Sequence, residues 1–208
     1  MDINMPEPTK LAFSQAWKSY CKGSRPIGAV IVDDKNNIVA KGRDKTYERK
    51  NIIGQISGNR IAHGGINAIL KLNEYKYKNI RSYTIYLTME PCIMCYGAIL
   101  TSNIGTIKFI AGNRKSREMD FENKLFDKTK TNIFGPNKEF DFIQIVLLTD
   151  FILRNSNKAE KVLRGWKEEC SEAVEIGIKF YKNDKLLDLR KKKKSIIHVI
   201  REINKEIS

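Results

Sequence analysis

The stretch Thr88-Met-Glu-Pro-Cys-Ile-Met-Cys95 decides how this chain of 208 residues folds. The apolar residues before it predict a β-strand, and Pro91 is a favoured first residue of a helix. We therefore expect a strand that leads directly into a helix over about 91–101. Cys92 and Cys95 would lie on the first turn of that helix, where their spacing directs both sulfurs at one point.

A histidine earlier in the chain completes a pattern of metal ligands. His63 stands at the start of a second predicted helix. Zinc prefers about four ligands in a tetrahedron, and thiolate and imidazole are good donors. Three protein ligands would leave one position for water, which is typical of a catalytic zinc ion. A redox pair is the alternative for Cys92 and Cys95, but the upstream histidine favours zinc, one Zn²⁺ per chain.

The remaining pattern predicts an α/β protein. Strands that alternate with helices indicate parallel pairing, with helices covering the sheet. Gly, Pro and turn residues separate the segments. The predicted helices are 9–22, 61–75, 91–101, 150–181 and 186–207, and the predicted strands are 27–32, 38–42, 83–88, 104–111 and 142–149.

Two motifs resemble the paired signatures of the zinc-dependent nucleobase and nucleoside deaminases. They are His63-Gly-Gly-Ile-Asn-Ala-Ile69 and Thr88-Met-Glu-Pro-Cys-Ile-Met-Cys95, against the family pattern H-x-E followed by P-C-x-x-C. The segment Pro26-Ile-Gly-Ala-Val-Ile-Val32 is similar to the first core strand of that family. The resemblance covers about Thr9 to Asn113 and is nearest to the guanine and tRNA-adenosine deaminase branch.

The resemblance implies a three-layer α/β/α sandwich with a mixed five-stranded sheet and a helical C-terminal extension. It implies a deaminase domain over 1–150, on which residues 151–208 pack as the extension. It also implies that His63, Cys92 and Cys95 hold zinc, and that water activated there attacks an amidine carbon and releases ammonia. The substrate would be a free nucleobase, a nucleoside or a related amine.

One position departs from the family at the centre of the chemistry. The glutamate that transfers protons lies two residues after the histidine, where this chain has Gly65. Such proton transfer is typically worth about 10²–10⁴-fold in rate. Three interpretations remain: an introduced inactivating substitution that traps substrate, a naturally inactive relative that binds without deaminating, or a working enzyme that uses Asp44 or Glu90 instead.

A second departure affects the predicted substrate contacts. The family usually has asparagine where Asp44 stands, and an ionised carboxylate accepts hydrogen bonds but cannot donate them. We expect Asp44, Ile27 and Pro91 to contact the substrate, although Asp44 could instead cap the loop after its strand. Glu90 is expected to orient the loop that carries the cysteines.

Composition limits the compartment and the partners. Two prolines in a polar N-terminus give no signal-peptide core, and no apolar run is long enough to span a membrane. We therefore expect a cytoplasmic protein. The net charge of +14 suggests nucleic acid, but a lysine-rich composition with lysines spread over the surface is the favoured explanation. The run Arg190–Lys194 lies outside the chemical motifs.

The hypotheses differ in substrate and in turnover. The first is a deaminase of a small base or nucleoside, which residues 114–140 could cover as a lid. The alternatives are a tRNA or single-stranded nucleic-acid editor and a non-catalytic zinc module that senses a nucleotide. Relatives of this branch usually pair, so a homodimer is expected.

Overall fold

The computed structural model describes residues 4–49, 53–73, 75–113 and 130–207. Contacts divide the chain into two compact units, Met1–Asn137 and Lys138–Ser208. The metal-ligand motifs all lie in the first unit. Within the described ranges, no helix combines the length and the apolar character needed to cross a bilayer.

The first unit is built on a mixed sheet of five strands in the order β2-β1-β3-β4-β5. The hairpin strands β1 and β2 are antiparallel, and β1 is also antiparallel to β3. The pairs β3–β4 and β4–β5 are parallel, and the alternation of strands and helices predicted the first of them. The strands are β1 (Gly28–Val32), β2 (Ile38–Arg43), β3 (Thr84–Met89), β4 (Thr106–Ala111) and β5 (Asn132–Phe134).

Helices cover both faces of this sheet, so the predicted three-layer architecture is confirmed. On one face α1 (Glu7–Cys21) packs through Ala12 against Val30 and Val32. On the other face α2 (Gly64–Ile69) and α3 (Ile93–Thr101) pack against the alternate residues of the same strands. That second core holds Ala29, Ile31, Ala68, Ile85, Leu87, Tyr96, Ile99, Ile107 and Phe109.

A glycine on β2 allows helix α2 to approach the sheet closely. A Cβ atom at Gly42 would lie 2.2 Å from the carbonyl oxygen of Gly64 and 2.3 Å from the backbone nitrogen of Ala68. Both are backbone atoms, which cannot move aside as a flexible side chain can. This contact fixes the start of α2, and with it His63, against the sheet.

We expect Gly42→Ala to destabilise the protein by about 1–3 kcal/mol or more, because the added methyl group meets backbone. Gly97→Ala is the matched control, since a Cβ at Gly97 in α3 has no neighbour within 4 Å. The control should stabilise the protein by about 0.5–1 kcal/mol through helix propensity. Chemical unfolding of both variants measures the difference, and equal stabilities would contradict this account of Gly42.

The regular secondary structure described in the second unit consists of helices. Its helices are α4 (Asp141–Asn155), α5 (Ala159–Lys182), α6 (Lys185–Lys191) and α7 (Ile196–Asn204). Helix α5 is interrupted at Cys170, whose φ of −148° and ψ of 57° are not helical. The lysines at 191–194 are all exposed, as expected for a solvated surface.

Four sequence predictions need correction, one of a strand and three of helices. The helix expected at 150–181 is the end of α4 followed by α5, and the helix expected at 186–207 is divided into α6 and α7 around residues 192–195. The strand expected at 142–149 is wrong, because these residues belong to α4. Its mostly apolar run, which contains the polar Gln144, does not show the period that separates a buried strand from a buried helix. The fifth strand is instead the short β5, and the helix expected at 61–75 is only the six-residue α2. The domain boundary at residue 150 lies within α4 and stays a prediction.

The predicted lid falls mostly outside the described residues. Of the segment 114–140, residues 114–129 are not described. The described part contains β5, which pairs with β4 as the edge strand of the sheet. The lid therefore stays a prediction.

Candidate active site

Three side chains with metal-binding chemistry come together at the starts of two helices. His63 directly precedes α2 and is extended, with φ of −75° and ψ of 156°. Cys92 directly precedes α3 in a similar conformation, and Cys95 lies in the first turn of that helix. Their ligand atoms all lie within 4.8 Å of one another. The grouping predicted from sequence is therefore present.

The spacing of these atoms suits a zinc ion. The Nδ1 atom of His63 is 3.5 Å from Sγ of Cys92 and 3.6 Å from Sγ of Cys95. Zinc bonds of about 2.3 Å to sulfur and 2.0–2.1 Å to nitrogen, at a tetrahedral angle, place those atoms about 3.6 Å apart. The donor types and the distances both fit zinc, and three protein ligands leave a fourth position open.

The three side chains of the cluster are coupled through hydrogen bonds that shift their pKa values. A hydrogen bond from the Cys95 thiol lowers the pKa of Cys92 to about 4. The same interaction raises the pKa of Cys95. The hydrogen bond with Cys92 raises the pKa of His63 above its usual value. Zinc binding needs both cysteines as thiolates and His63 as a neutral imidazole, so a metal ion would displace the protons that these side chains share.

Gly65 lies beside this cluster in the first turn of α2. A Cβ atom there would be 3.8 Å from Sγ of Cys95 and 3.4 Å from Cδ2 of Leu87, which are ordinary contact distances. The backbone at Gly65 is not in the left-handed region that favours glycine. Neither conformation nor crowding requires a glycine here, so the position can hold a side chain directed at the metal ligands.

Asp44 follows β2 and is fully buried. Its Oδ1 atom accepts a hydrogen bond of 3.0 Å from the backbone N–H of Thr46, so the capping interpretation is supported for one oxygen. Its Oδ2 atom is buried and has no hydrogen-bond partner among the described residues. Burial raises the pKa of this carboxyl group. The carboxyl group is therefore enclosed by protein, with one oxygen engaged by the turn at Thr46.

Asn67 connects α2 to the loop before it. It is fully buried, its Oδ1 accepts from the backbone N–H of Ile56 at 2.8 Å, and its Nδ2 donates to the carbonyl oxygens of Ile56 and Arg43 at 3.0 and 3.2 Å. These bonds hold β2, the loop and the helix that starts after His63 in one arrangement. Asn67 is a positioning residue for the metal ligands.

We expect Asn67→Ala to destabilise the protein by about 1–3 kcal/mol, because buried backbone groups lose their partners. Asn73→Ala is the control, since Asn73 is exposed and its side-chain Oδ1 accepts a hydrogen bond from the backbone N–H of Tyr75. The control should change stability by less than about 0.5 kcal/mol. Urea unfolding of the two variants compares them, and an unaffected Asn67→Ala protein would remove this role.

The other predicted residues lie in the loops around the metal ligands. Glu90 is buried, and its Oε2 accepts a hydrogen bond of 2.6 Å from the backbone N–H of Asn113, which suits a role in orienting the loop with the cysteines. Pro91 is buried next to it. The carbonyl oxygen of Ile27 accepts a hydrogen bond of 2.9 Å from the backbone N–H of Asp44. Their contacts with substrate stay predictions.

Sequence reasoning missed two supports of this site. Arg43 and Glu48 form a two-pronged ion pair that closes the loop after β2. The hydroxyl of Ser19 on α1 donates a hydrogen bond of 2.8 Å to the carbonyl oxygen of Asp44. The opposite charges of Arg43 and Glu48, close together in the sequence, could have indicated their ion pair. Nothing in the sequence near Ser19 indicated a partner 25 residues away.

The chain belongs to the family defined by the cytidine and deoxycytidylate deaminase zinc-binding region, whose family model matches residues 6–111. That range contains every metal ligand and the whole of the sheet except β5. The resemblance to zinc-dependent deaminases is therefore confirmed, and the zinc ligands proposed from sequence form a possible zinc site.

Relatives within this family act on different substrates. A tRNA-specific adenosine deaminase of Haemophilus influenzae is 34% identical over 128 residues, covering 59% of this chain and 67% of the relative. A cytosine deaminase of Candida albicans is 32% identical over 91 residues, covering 44% of this chain and 55% of the relative. The solved structure of a guanine deaminase from Nitrosomonas europaea has a TM-score of 0.53 at 14% identity, covering 72% of this chain and 86% of that one, which shows the shared fold.

Proposed function

We propose that this chain is a zinc-dependent deaminase of a free nucleobase, a nucleoside or a related amine, with turnover impaired by the loss of its proton-transfer carboxylate. The observation that carries the proposal is the grouping of His63, Cys92 and Cys95 at zinc-binding distances, beside an open position at Gly65. The membership of the chain in the deaminase family supports the reaction class.

Zinc, when bound, supplies a Lewis acid that makes water reactive near neutral pH. The protein contributes the arrangement around that position. Asn67 and the loop before α2 hold His63, while the hydrogen bond from Asn113 to Glu90 steadies the segment with the cysteines. Asp44, Ile27 and Pro91 form the proposed contacts with the ligand.

Hydrolytic deamination needs a group that moves protons between water, the ring nitrogen and the departing amine. Glycine has no side chain for this task. We therefore propose that the chain binds its ligand and hydrolyses it slowly or not at all. Asp44 or Glu90 is the alternative proton carrier, but Glu90 is already engaged with Asn113.

Calorimetric titration of the zinc-loaded chain with bases and nucleosides tests the proposal. We expect one ligand class to bind with one site per chain, and Cys95→Ser to abolish that binding because the metal is lost. Ligand binding that persists in zinc-free Cys95→Ser would place the binding site elsewhere. A chain that binds no base or nucleoside would contradict the proposal.

A second candidate function is adenosine deamination in tRNA. Sequence similarity to tRNA-specific adenosine deaminases and the net charge of +14 favour this candidate. Tight tRNA binding that weakens steeply with salt, because Lys and Arg neutralise phosphates, would support this candidate over a small-molecule substrate. In either case assembly into a homodimer is part of the proposal, and sedimentation of the purified chain tests it.

A further inference from the structure

Helix α5 turns back on itself at Cys170. Its last turn is bonded to the helix before it, because Arg154 of α4 donates a hydrogen bond of 3.2 Å to the carbonyl oxygen of Tyr181. A straight helix, rising 1.5 Å per residue, would place Tyr181 about 33 Å from Ala159, where α5 begins. The non-helical backbone at Cys170 therefore folds the second half of α5 towards the first half.

A cavity of about 470 Å³ lies between the two halves of α5 and the end of α4. Its apolar lining comes from Leu163 in the first half, from Ile178 and Tyr181 in the second half, and from Leu153 in α4. Leu163 is buried and the other three side chains are half-buried. Small-molecule sites in proteins have volumes of about 300–1,000 Å³ and are mostly apolar. The turn in α5 therefore creates a cavity of the size and character that bind small molecules.

The wall of this cavity beside Tyr181 is held by an ion-pair network. Nε and Nη2 of Arg154 each donate a hydrogen bond of 3.0 Å to the fully buried carboxylate of Asp150. Nη1 donates to Asp184 at 2.8 Å, and the guanidinium carbon lies 4.9 Å from the centre of the Tyr181 ring. A ligand that enters a cavity with a fixed wall has less conformational entropy to overcome. The cavity is therefore preformed on this side.

The rim of the cavity carries an excess of positive charge. Arg164, Lys167 and Lys182 line it and are exposed, whereas Glu160 is the one acidic side chain among the described lining residues. Within the described ranges, none of these three cations forms an ion pair. Positive charge at the mouth of an apolar cavity complements a ligand that is anionic at one end and apolar along its body.

The leucine and isoleucine side chains decide what that apolar body is. They offer no hydrogen-bond partner, so a nucleobase or a sugar buried against them would lose its hydrogen bonds with water. A hydrocarbon chain has no such bonds to lose and gains free energy from each CH₂ group that is buried.

We propose that this cavity binds a free fatty carboxylate. The hydrocarbon chain fills the apolar interior, and the carboxylate lies at the rim near Arg164, Lys167 and Lys182. All lining residues belong to the second unit, and the metal ligands belong to the first. The proposal is therefore independent of the zinc site and of the proposed deaminase function.

Calorimetry of the zinc-loaded chain at about pH 7.5, where carboxylic acids are ionised, tests the proposal. The probes are decanoate, octanoate and decanol, each titrated below the concentration at which it aggregates. We expect one decanoate per chain. Each buried CH₂ group is worth about fourfold in affinity, so decanoate should bind about 15-fold more tightly than octanoate. Decanol, which lacks the charge, should bind about tenfold more weakly than decanoate.

Two triple variants separate the rim from the general charge of the chain. The rim variant combines Arg164→Gln, Lys167→Gln and Lys182→Gln. The matched control removes three exposed cations outside the cavity and combines Lys191→Gln, Lys192→Gln and Lys194→Gln. We expect the rim variant to bind decanoate about tenfold more weakly than the native chain, with decanol binding unchanged, and the control to bind both as the native chain does.

Four results would overturn the proposal. Absence of decanoate binding by the folded native chain would show that the cavity does not take this ligand. Equal losses in the rim variant and the control would show attraction by general charge. Equal affinities for octanoate and decanoate would show that the chain is not buried. Binding to vesicles of anionic phospholipid without binding of free decanoate would identify a membrane surface instead.

Discussion

Replacing any one of the three metal ligands should lower zinc affinity by more than about 100-fold. Loss of a group that merely supports a ligand typically costs 10–100-fold, so loss of the ligand itself should cost more. The effect is expected in His63→Ala, Cys92→Ser and Cys95→Ser alike, because each supplies one of the three close donor atoms. Competition with a chromophoric chelator measures the affinity.

Cys170→Ser is the matched control for this series. Cys170 is half-buried in the second unit, outside the group of metal ligands, so its replacement should leave zinc affinity unchanged. Zinc should also raise the unfolding temperature of the native chain and the control, since a ligand that binds only the folded state stabilises it. If Cys95→Ser bound zinc as tightly as the native chain does, these side chains would not form the zinc site.

The metal site could be predicted from sequence because its ligands occupy short motifs at helix starts. Cys92 and Cys95 share a single turn, so their sulfurs meet whatever the rest of the fold does. His63 required a second motif. The strand pairing and the close approach at Gly42 that bring His63 to the cysteines were indicated in the sequence only by the order of strands and helices. The absence of the family's glutamate at Gly65 could likewise be recognised from the sequence, since it concerns one position within a motif.

Other features depend on packing that the pattern does not encode. Most residues of helix α4 are buried, including the polar Gln144 and Thr149, so its sequence does not separate into an apolar face and a polar face. Strand β5 is three residues long, and its pairing with β4 defines it. The complete burial of Asp44 could not be predicted, because it depends on the turn at Thr46 and on the packing of the surrounding elements.

Gly65→Glu should raise the rate of ammonia release by about 10²–10⁴-fold or more, the usual contribution of a general acid-base group. The position accepts a Cβ at ordinary contact distances, and its backbone suits any residue, so the variant should fold. The new side chain starts 3.8 Å from the sulfur of Cys95, beside the proposed metal position. It can therefore reach water and ligand there.

Gly65→Gln separates proton transfer from the filling of space. Glutamine has nearly the volume and shape of glutamate but does not exchange protons near neutral pH. We expect it to bind zinc and ligand as Gly65→Glu does and to remain as slow as the native chain. Equal rates in the glutamate and glutamine variants would mean that the side chain acts by packing.

Ammonia release by the native chain and by Gly65→Glu, both zinc-loaded and offered the same bases, nucleosides and tRNA, is the most direct measurement. We expect a slow or silent native chain and a Gly65→Glu variant that releases ammonia from a base or a nucleoside. The same fast rate in both chains would contradict it, because the native chain would then possess another proton carrier. Silence of a folded, zinc-loaded Gly65→Glu variant on every substrate would also contradict it, because a carboxylate would then not be what the site lacks.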